Sequence, residues 1–566
     1  MTARNACTAL LVRDLRIPFT ETDTAGAACE KAKKRVQRAF GKRTPQITEC
    51  TLFRTSVDAR KKPDILIVCT VLVRLACAKE EAAAAVKRDA QLSLYEEMPL
   101  VLPTPTDAQK LSERPVIIGF GPAGMFAALT LCEGGFAPVI LERGDDVEAR
   151  RAAVDAFYET KRLDSESNIQ FGAGGAGTFS DGKLMTRIAD PYCAYVLSQF
   201  VRFGADPDIL IKAKPHVGTD VLLTVVGNIR DYLLSRGCTF CFRTKMTGLH
   251  TTPAGDGERV TAVVTNAGEI PAGAVILAPG HSARDTYKML YERGMQLLPK
   301  PFSVGVRIEH LQSEMNRAAY GDVCKYTEAC GATGRDILLP PAEYAVSHKP
   351  KPTESDPDPR GVYSFCMCPG GEVMAAASEA GGVVVNGMSR HARNGRNANA
   401  ALAVSVRTSD YGDHPMKAIE YQRVLEQTAF SAGGGNYTAP AQTVGDFLAG
   451  KAGSEPTTVQ PSYMNGNVHM TDLHTVLPPF VTELLERGIR RFDGSLPGFA
   501  SPDAILTGVE TRTSAPVRIV RGEDGRAFGY GNLYPAGEGA GYAGGITSAA
   551  VDGIRCAMHI LEKYKS

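Results

Sequence analysis

The sequence predicts an α/β fold: a parallel, nucleotide-binding sheet made from two chain segments, interrupted by a mixed α+β insertion and preceded by a small α+β module. Three observations predict it. Residues 116–144, "VIIGFGPAGMFAALTLCEGGFAPVILERG", read as strand, glycine-rich turn, helix and second strand. Residues 273–286, "GAVILAPGHSARDT", form another short apolar strand ending in a turn, and residues 531–564 return to the same pattern with a closing helix. Between about 295 and 505 the chain changes character, with evident loops at "HKPKPTESDPDPRG" and "SAGGGNYTAP".

The predicted segments are 1–108 for the N-terminal module, 109–294 for the first part of the nucleotide-binding domain, 295–505 for an inserted cap, and 506–566 for the second part. A chain of 566 residues suffices for two to four domains with a substantial core. With 44% hydrophobic and 22% charged residues it is an ordinary globular composition. A net charge of +1 gives no general electrostatic reason to expect nucleic acid or an anionic membrane as partner. No apolar run approaches a membrane span, and the first residues lack the uninterrupted apolar core of a signal peptide. A cytoplasmic location is expected, with the 14 cysteines as reduced thiols rather than a disulfide framework.

In the N-terminal module, "TALLVRDLRIPF" predicts a strand and "AACEKAKKRVQRAF" a basic amphipathic helix. "ITECTLFRTSVDAR" and "DILIVCTVLVRLA" predict two more strands, joined by the turn-like "KKPD". Residues 1–110 hold 19 Lys+Arg against 13 Asp+Glu, a surplus of six positive charges. "PLVLPTPTDAQKLSERP" is a proline-rich connector.

In the first strand–helix–strand, Gly119, Gly121 and Gly124 form G-x-G-x-x-G. The first glycine allows the tight turn, the second lets a pyrophosphate approach the backbone, and the third lets helix and strand pack closely. Pro122 and Ala123 open the helix, whose N-terminus suits phosphate oxygens. Glu142, 18 residues after Gly124 and followed by Arg143, is placed to accept hydrogen bonds from a ribose. The whole is Rossmann-like and calls for an adenine dinucleotide, without distinguishing NAD from FAD.

The other two strand ends favour FAD. "GNLYPAGEGAGYAGGITSAAVDGIRCAMHILEKY" resembles the closing segment of flavoproteins of the glutathione-reductase type. That resemblance implies Gly537 and Glu538 at the ribityl chain, and the Gly545 and Ile546 amides stabilising negative charge at N1/O2 of the reduced ring. Ala278, Pro279 and Gly280 resemble the strand end that passes close to the cofactor, and Met246 or Thr247 would lie by the adenine. "SNIQFGAGGAGTFSDGKL" contains a second G-x-G-x-x-G at Gly172, Gly174 and Gly177, but no buried strand precedes it. It reads as a loop wrapping the pyrophosphate or ring, with Gly174, Gly175, Thr178, Ser180 and Lys183 available, or as a purely structural glycine loop.

Those strings, with "PFSVGVRIEH", "YSFCMCPGGEV", "VVNGMSRHARNGRNANAAL" and "ETRTSAPVRI", resemble a widespread family called FAD-dependent, or NAD(FAD)-utilising, dehydrogenases. The resemblance extends from the N-terminal module to the last helix. It implies FAD and a glutathione-reductase-type fold, and oxidoreduction through the family name. Ala173 stands where an acidic residue is expected in the glycine loop.

Candidate chemistry beyond the cofactor comprises His281 as an acid/base beside the flavin, Cys366 and Cys368 as electron-exchanging thiols if their pKa is lowered, and Arg307 facing a substrate cavity. A satisfied Arg307–Glu309 pair is the preferred reading of that strand. Cys238 and Cys241 form C-x-x-C, but three residues apart on a strand they face opposite ways. Arg390, His391, Arg393 and Arg396 could clamp an anionic substrate or nicotinamide phosphates, or form a solvated loop. No metal site is expected. The function predicted is an FAD-dependent oxidoreductase passing a hydride between flavin N5 and a small organic substrate, with NADH or NADPH, if used, binding transiently in the same cleft or replaced by another reductant. The alternatives are a flavin-dependent tRNA-modifying enzyme gripping RNA through the basic module, and a non-catalytic FAD-bound scaffold.

Overall fold

The computed structural model describes residues 7–103, 109–255, 257–323, 339–354 and 357–565. They form two compact units.

One unit comprises the described residues of Met1–Leu100, Asp206–Pro215 and Asn316–Ala342. Strands Cys7–Pro18, Ile47–Asp58, Leu66–Ala76 and Leu92–Tyr95 alternate with helices Thr24–Phe40 and Lys79–Val86 as β-α-β-β-α-β. The sheet order is 47–58, 66–76, 7–18, 92–95, with every neighbouring pair antiparallel, the split βαβ arrangement. Val71, Val73 and Leu75 on every second strand position meet Ala28, Ala32 and Val36 on every fourth helix position in one core. Asp23 caps the first helix by accepting from the Gly26 N–H at 2.9 Å.

The first three strands and first helix are those the sequence predicts. The Lys79–Val86 helix and Leu92–Tyr95 strand are additional, being too short to show a clear apolar period. Segment 206–215 and the described residues of 316–342 were expected in the nucleotide-binding domain and the insert, yet they belong to this unit. The Thr55 N–H donates to the Ile211 carbonyl at 2.7 Å, and Tyr320 packs with Ile65 and Ala342. Contacts between such distant positions leave no local trace in a sequence.

The other unit holds Val101–Ala205, His216–Met315 and Glu343–Ser566. Its five-stranded sheet runs Leu533–Pro535, Val275–Leu277, Val116–Ile118, Val139–Leu141, Thr239–Cys241, all neighbours parallel. The three inner short strands are apolar because both faces of the sheet are covered: Val116, Ile118, Val275 and Leu277 share a core with Leu249, Val260 and Val263 of the antiparallel strands Met246–Ala254 and Gly257–Thr265. The helix Pro122–Glu133 is buried from Ala123 to Cys132 and packs on the closing helix Ile546–Lys563. Gly553 permits that approach, since a Cβ there would stand 2.0 Å from the Ala123 carbonyl oxygen.

The same unit contains a seven-stranded sheet in the order 347–348, 362–368, 397–406, 302–311, 505–510, 439–443, 468–470. Strand Ile505–Glu510, buried at all six positions, pairs antiparallel with Phe302–Leu311. The chain therefore returns to the parallel sheet only after Glu510, beyond the predicted junction at 505/506. No helix among the described residues is long and apolar enough to cross a membrane.

Candidate functional site

The chain just beyond the C-terminal ends of four parallel strands borders one cleft of about 1680 Å³, part of it open to solvent. Ligands of open α/β sheets bind at this edge. Gly119 takes φ +94°, and a Cβ on it would stand 2.2 Å from the Ala278 carbonyl oxygen. Gly124 does not line the cleft. Its place is structural, because a Cβ there would lie 1.9 Å from the Gly119 carbonyl oxygen. Gly121 and Gly175 bring two bare backbones together at the cleft wall, where a Cβ on Gly175 would approach the Gly121 Cα to 3.0 Å. The helix that Gly121 opens has Pro122 at its start and no side chain capping its N–H groups, so those donors are left for a ligand.

Glu142 lines the cleft and anchors the turn. Its carboxylate accepts from the N–H groups of Phe120 at 2.9 Å, Gly144 at 2.9 Å and Gly172 at 3.0 Å. Of about four acceptor positions, one is left for a ribose hydroxyl. Arg143 also lines the cleft and braces its wall. Its guanidinium bonds Glu166 and Asp285 at 2.9–3.0 Å and lies 3.9 Å over the Phe171 ring.

In the second glycine loop, Gly175, Ser180 and Lys183 line the cleft, but Gly174 and Thr178 do not. The Gly174 N–H donates to the Phe120 carbonyl at 2.8 Å, and a Cβ on Gly174 would stand 2.0 Å from Thr178 Oγ1. The two close the loop against itself and the Thr219 hydroxyl. Lys183 Nζ donates to Asp181 at 2.7 Å and to the Met367 carbonyl. Asp181 also accepts from Arg393 Nε at 2.9 Å. Against the cost of burial, Lys183 and Arg393 hold the Asp181 carboxyl well below the usual carboxylate range.

That pairing corrects the expected anion clamp. Arg393 is consumed by Asp181 and Glu343, Arg396 donates to the Thr458 carbonyl at 2.8 Å, and His391 Nδ1 lies 3.0 Å from the Val217 carbonyl. None of the four residues, Arg390 included, lines the cleft.

Met246 lines the cleft, while Thr247 is exposed elsewhere. Ala278, Pro279 and Gly280 line it as expected. Gly537 does not: at φ +76° its N–H donates to Asp552 at 2.7 Å, and a Cβ would stand 2.6 Å from that of Ala123. Glu538 does, and its carboxylate makes no hydrogen bond or ion pair with any described residue. Gly545 and Ile546 open the closing helix at the cleft, with no side chain capping it.

His281 lines the cleft, with Nε2 3.0 Å from the Arg512 carbonyl. Burial, opposed by nearby Glu538, pushes its pKa below the ordinary value. The ring is thus neutral at pH 7, with Nε2 as donor and Nδ1 as acceptor.

Cys366 and Cys368 both border the cleft, on an irregular stretch of strand. Cys366 takes φ +45° and strand register slips between Phe365 and Cys368. The Cys366 side chain opens into the cleft, whereas Cys368 is buried with Sγ 3.2 Å from the Cys366 carbonyl. Surrounding protein pushes Cys366 up to about 12, and burial raises Cys368 as well. The lowered pKa on which a thiol role depended is therefore absent. Cys238 is likewise buried and pushed up to about 12, by burial and by Cys132.

Arg307 is not a cleft residue. It is fully buried, and all five N–H donors are used: Glu510 at 2.8 and 3.3 Å, the Cys366 carbonyl at 2.9 Å, Asn399 at 3.0 Å and Asn386 at 2.9 Å. It is a satisfied residue, paired with Glu510 and not with Glu309. Glu309 accepts instead from Asn397 at 3.0 Å and Ser462 Oγ at 2.5 Å, and burial raises its pKa.

Sequence reasoning passed over Gln170, Phe171, Asn386, Glu510, Arg512 and Thr513, all in the cleft wall. Five of them lie inside "SNIQFGAGG" and "ETRTSAPVRI", so the signal was the string, without a pattern to single out a side chain. Arg512 bonds the buried Glu426 at 3.0 and 3.2 Å, and Arg284 bonds the same carboxylate at 2.7 and 2.9 Å.

Residues 301–513 match the family model described as "FAD-dependent protein, C-terminal domain-like". A protein of Clostridium beijerinckii, described as uncharacterized, is 44% identical over 533 residues, covering 94% of this chain and 96% of its own. The chain belongs to the same family as that protein. Its cofactor is FAD. Among solved structures, similarity is seen to CtdE in complex with FAD (10% identity, 80% of this chain and 84% of that one, TM-score 0.31). It is seen also to glycine oxidase from Bacillus cereus (12%, 80% and 99%, TM-score 0.33). No residue role is transferred from either.

The residues of this FAD-dependent protein fit the group. An unpartnered carboxylate at Glu538, two uncapped helix N-termini at Gly121 and Gly545, and the bare Gly121–Gly175 backbones supply acceptors for hydroxyls and donors for anionic oxygens.

Proposed function

We propose that the protein is an FAD-dependent oxidoreductase of glutathione-reductase-type architecture, exchanging a hydride with a small organic substrate held in the same cleft. One observation carries this reading: the cleft is not closed by the nucleotide-binding segments alone. Phe365, Cys366, Asn386, Glu510, Arg512 and Thr513, from the seven-stranded sheet and its connections, form its opposite wall. That wall leaves a place for a second reactant.

FAD, when bound, supplies the hydride acceptor or donor. Glu142 and Glu538 would accept hydrogen bonds from its sugar-type hydroxyls, and the Pro122 helix N-terminus would hold its diphosphate. The Ile546 helix N-terminus stabilises negative charge near the ring. His281, neutral and held through Nε2–H, presents Nδ1 as a proton acceptor. Arg307 holds three residues of the opposite wall in place. NADH or NADPH enters, in this reading, only as a transient reactant in the cleft.

The test is to purify the protein, record its visible spectrum, and follow anaerobic bleaching with NADH, NADPH and candidate organic donors. Bleaching by a donor supports the reading. A colourless protein that FAD cannot reconstitute overturns it, as does bound flavin that no donor reduces.

A further inference from the structure

We infer that the helical face of the N-terminal unit is a docking surface for the phosphodiester backbone of duplex nucleic acid. Residues 31–43, "KAKKRVQRAFGKR", contain seven Lys/Arg and no Asp/Glu, in a chain whose net charge is only +1. The fold sorts them. Ala32, Val36, Ala39 and Phe40 turn into the core, which leaves the cations on the solvent side.

Two of the seven are neutralised, Lys33 by Glu30 at 2.8 Å and Arg35 by Asp89 at 2.7 Å. Lys31 donates to the Arg16 carbonyl at 2.6 Å. Lys34, Arg38, Lys42 and Arg43 are exposed and make no ion pair or hydrogen bond with any described residue. Exposed Lys87, at the end of the second helix, is a fifth such cation. The two helices meet there, since Arg88 Nη1 donates to the Ala39 carbonyl at 3.2 Å.

From Lys34 to Arg43 the strip covers roughly 15 Å. Lys34 and Arg38, one turn apart, repel each other, which does nothing for the helix itself. An external polyanion relieves that repulsion. Duplex nucleic acid offers one charge per ~1.7 Å of axis, enough for every cation of the strip.

The face also discriminates among polyanions. No large exposed apolar residue lies on Thr24–Phe40 or Gly41–Arg43, so it lacks what an interfacial membrane helix inserts. Its one aromatic residue, Phe40, is buried, so it lacks the stacking platform of a single-strand binder. Phosphate contact alone remains, and it is indifferent to base sequence.

The experiment uses the full-length, FAD-loaded protein and fluorescein-labelled 20-base-pair RNA and DNA duplexes, read by anisotropy across a salt series. Binding at low salt is expected, with log K falling against log salt at a slope of about −4.5 for five phosphate contacts. The variant Lys34→Glu, Arg38→Glu, Lys42→Glu, Arg43→Glu is expected to bind at least about 10-fold more weakly with a flatter slope, its flavin spectrum unchanged. Should that variant misfold, the corresponding four-fold Gln variant, which adds no new repulsion, carries the test. Tighter binding to RNA or to DNA names the natural source; equal binding leaves the shared phosphate chemistry. The inference is overturned by no binding at about 50 mM salt, by binding that charge reversal leaves intact, or by attachment to phosphatidylglycerol vesicles in preference to both duplexes.

Discussion

Arg307 and Glu510 form a buried ion pair, Nε to Oε2 at 2.8 Å, with Glu510 in the cleft wall and Arg307 behind it. The same guanidinium reaches Cys366 and Asn386. Charge and shape of the wall therefore depend on a residue that never enters the cleft.

Removing one partner strands the other. Arg307→Met is expected to destabilise the protein by about 3–5 kcal/mol, because it leaves Glu510 buried and unpaired. Arg307→Met with Glu510→Leu is expected to recover part of the loss, since both charges are then gone. Chemical denaturation of the two variants and the parent reads this directly; equal losses would refute it.

Glu538 has no hydrogen-bond or ion-pair partner among the described residues, so its change should register on FAD and hardly on the fold. Glu538→Ala is expected to weaken FAD retention by roughly 10- to 100-fold, the worth of a charge-assisted hydrogen bond. Flavin release followed by fluorescence, beside an unaltered melting curve of the FAD-free protein, checks both halves.

Two glycines give opposite outcomes on substitution by alanine. At Gly124 the new methyl meets the Gly119 carbonyl oxygen at 1.9 Å, and a loss of about 1–3 kcal/mol with impaired FAD binding is expected. At Gly227, in the helix Thr219–Ser235, nothing lies within 4 Å. There a gain of about 0.5–1 kcal/mol is expected from helix propensity. Thermal unfolding distinguishes the two.

His310 is fully buried, donates through Nε2 to the Phe499 carbonyl at 2.8 Å and has no partner at Nδ1 among the described residues. Burial pushes its pKa down to about 4. Between pH 6.5 and 4 the unfolded chain binds a proton here that the folded chain does not, so stability falls as pH falls through that window. The loss from this group approaches about 3 kcal/mol near pH 4. His310→Gln, compared with the parent at pH 7.5 and pH 5, should show a shallower pH dependence; an identical slope would refute the assignment.

The protonated thiols at Cys366 and Cys368 predict that Cys366→Ser leaves the number of electrons taken up per flavin unchanged. Anaerobic dithionite titration counts them. A drop by two electrons would restore the thiols as redox partners.

Much of this was legible locally. The turn at Gly119 to Gly124, the strand end at Ala278 to Gly280, and the Gly545 helix start each depend on a few adjacent residues: φ sign, absence of a Cβ, a helix beginning. The N-terminal helix and its neighbouring strands were legible for the same reason, because apolar periodicity is a short-range property. Gly174 and Thr178 were misjudged because a glycine loop's composition does not say which atoms face inward.

By itself, then, the sequence determined the short-range features: the parallel strands, the glycine turns, the acids at their ends, and with them the cleft those turns border. Tertiary structure alone decided that Arg307 belongs to Glu510, that Arg393 belongs to Asp181, that strand 505–510 joins the seven-stranded sheet, and that 206–215 and 316–342 join the N-terminal unit. The physical reason is that a buried charge must find its counter-charge wherever the packed chain places one. In those two pairs the partners stand 203 and 212 residues apart, a separation at which no local pattern records the choice.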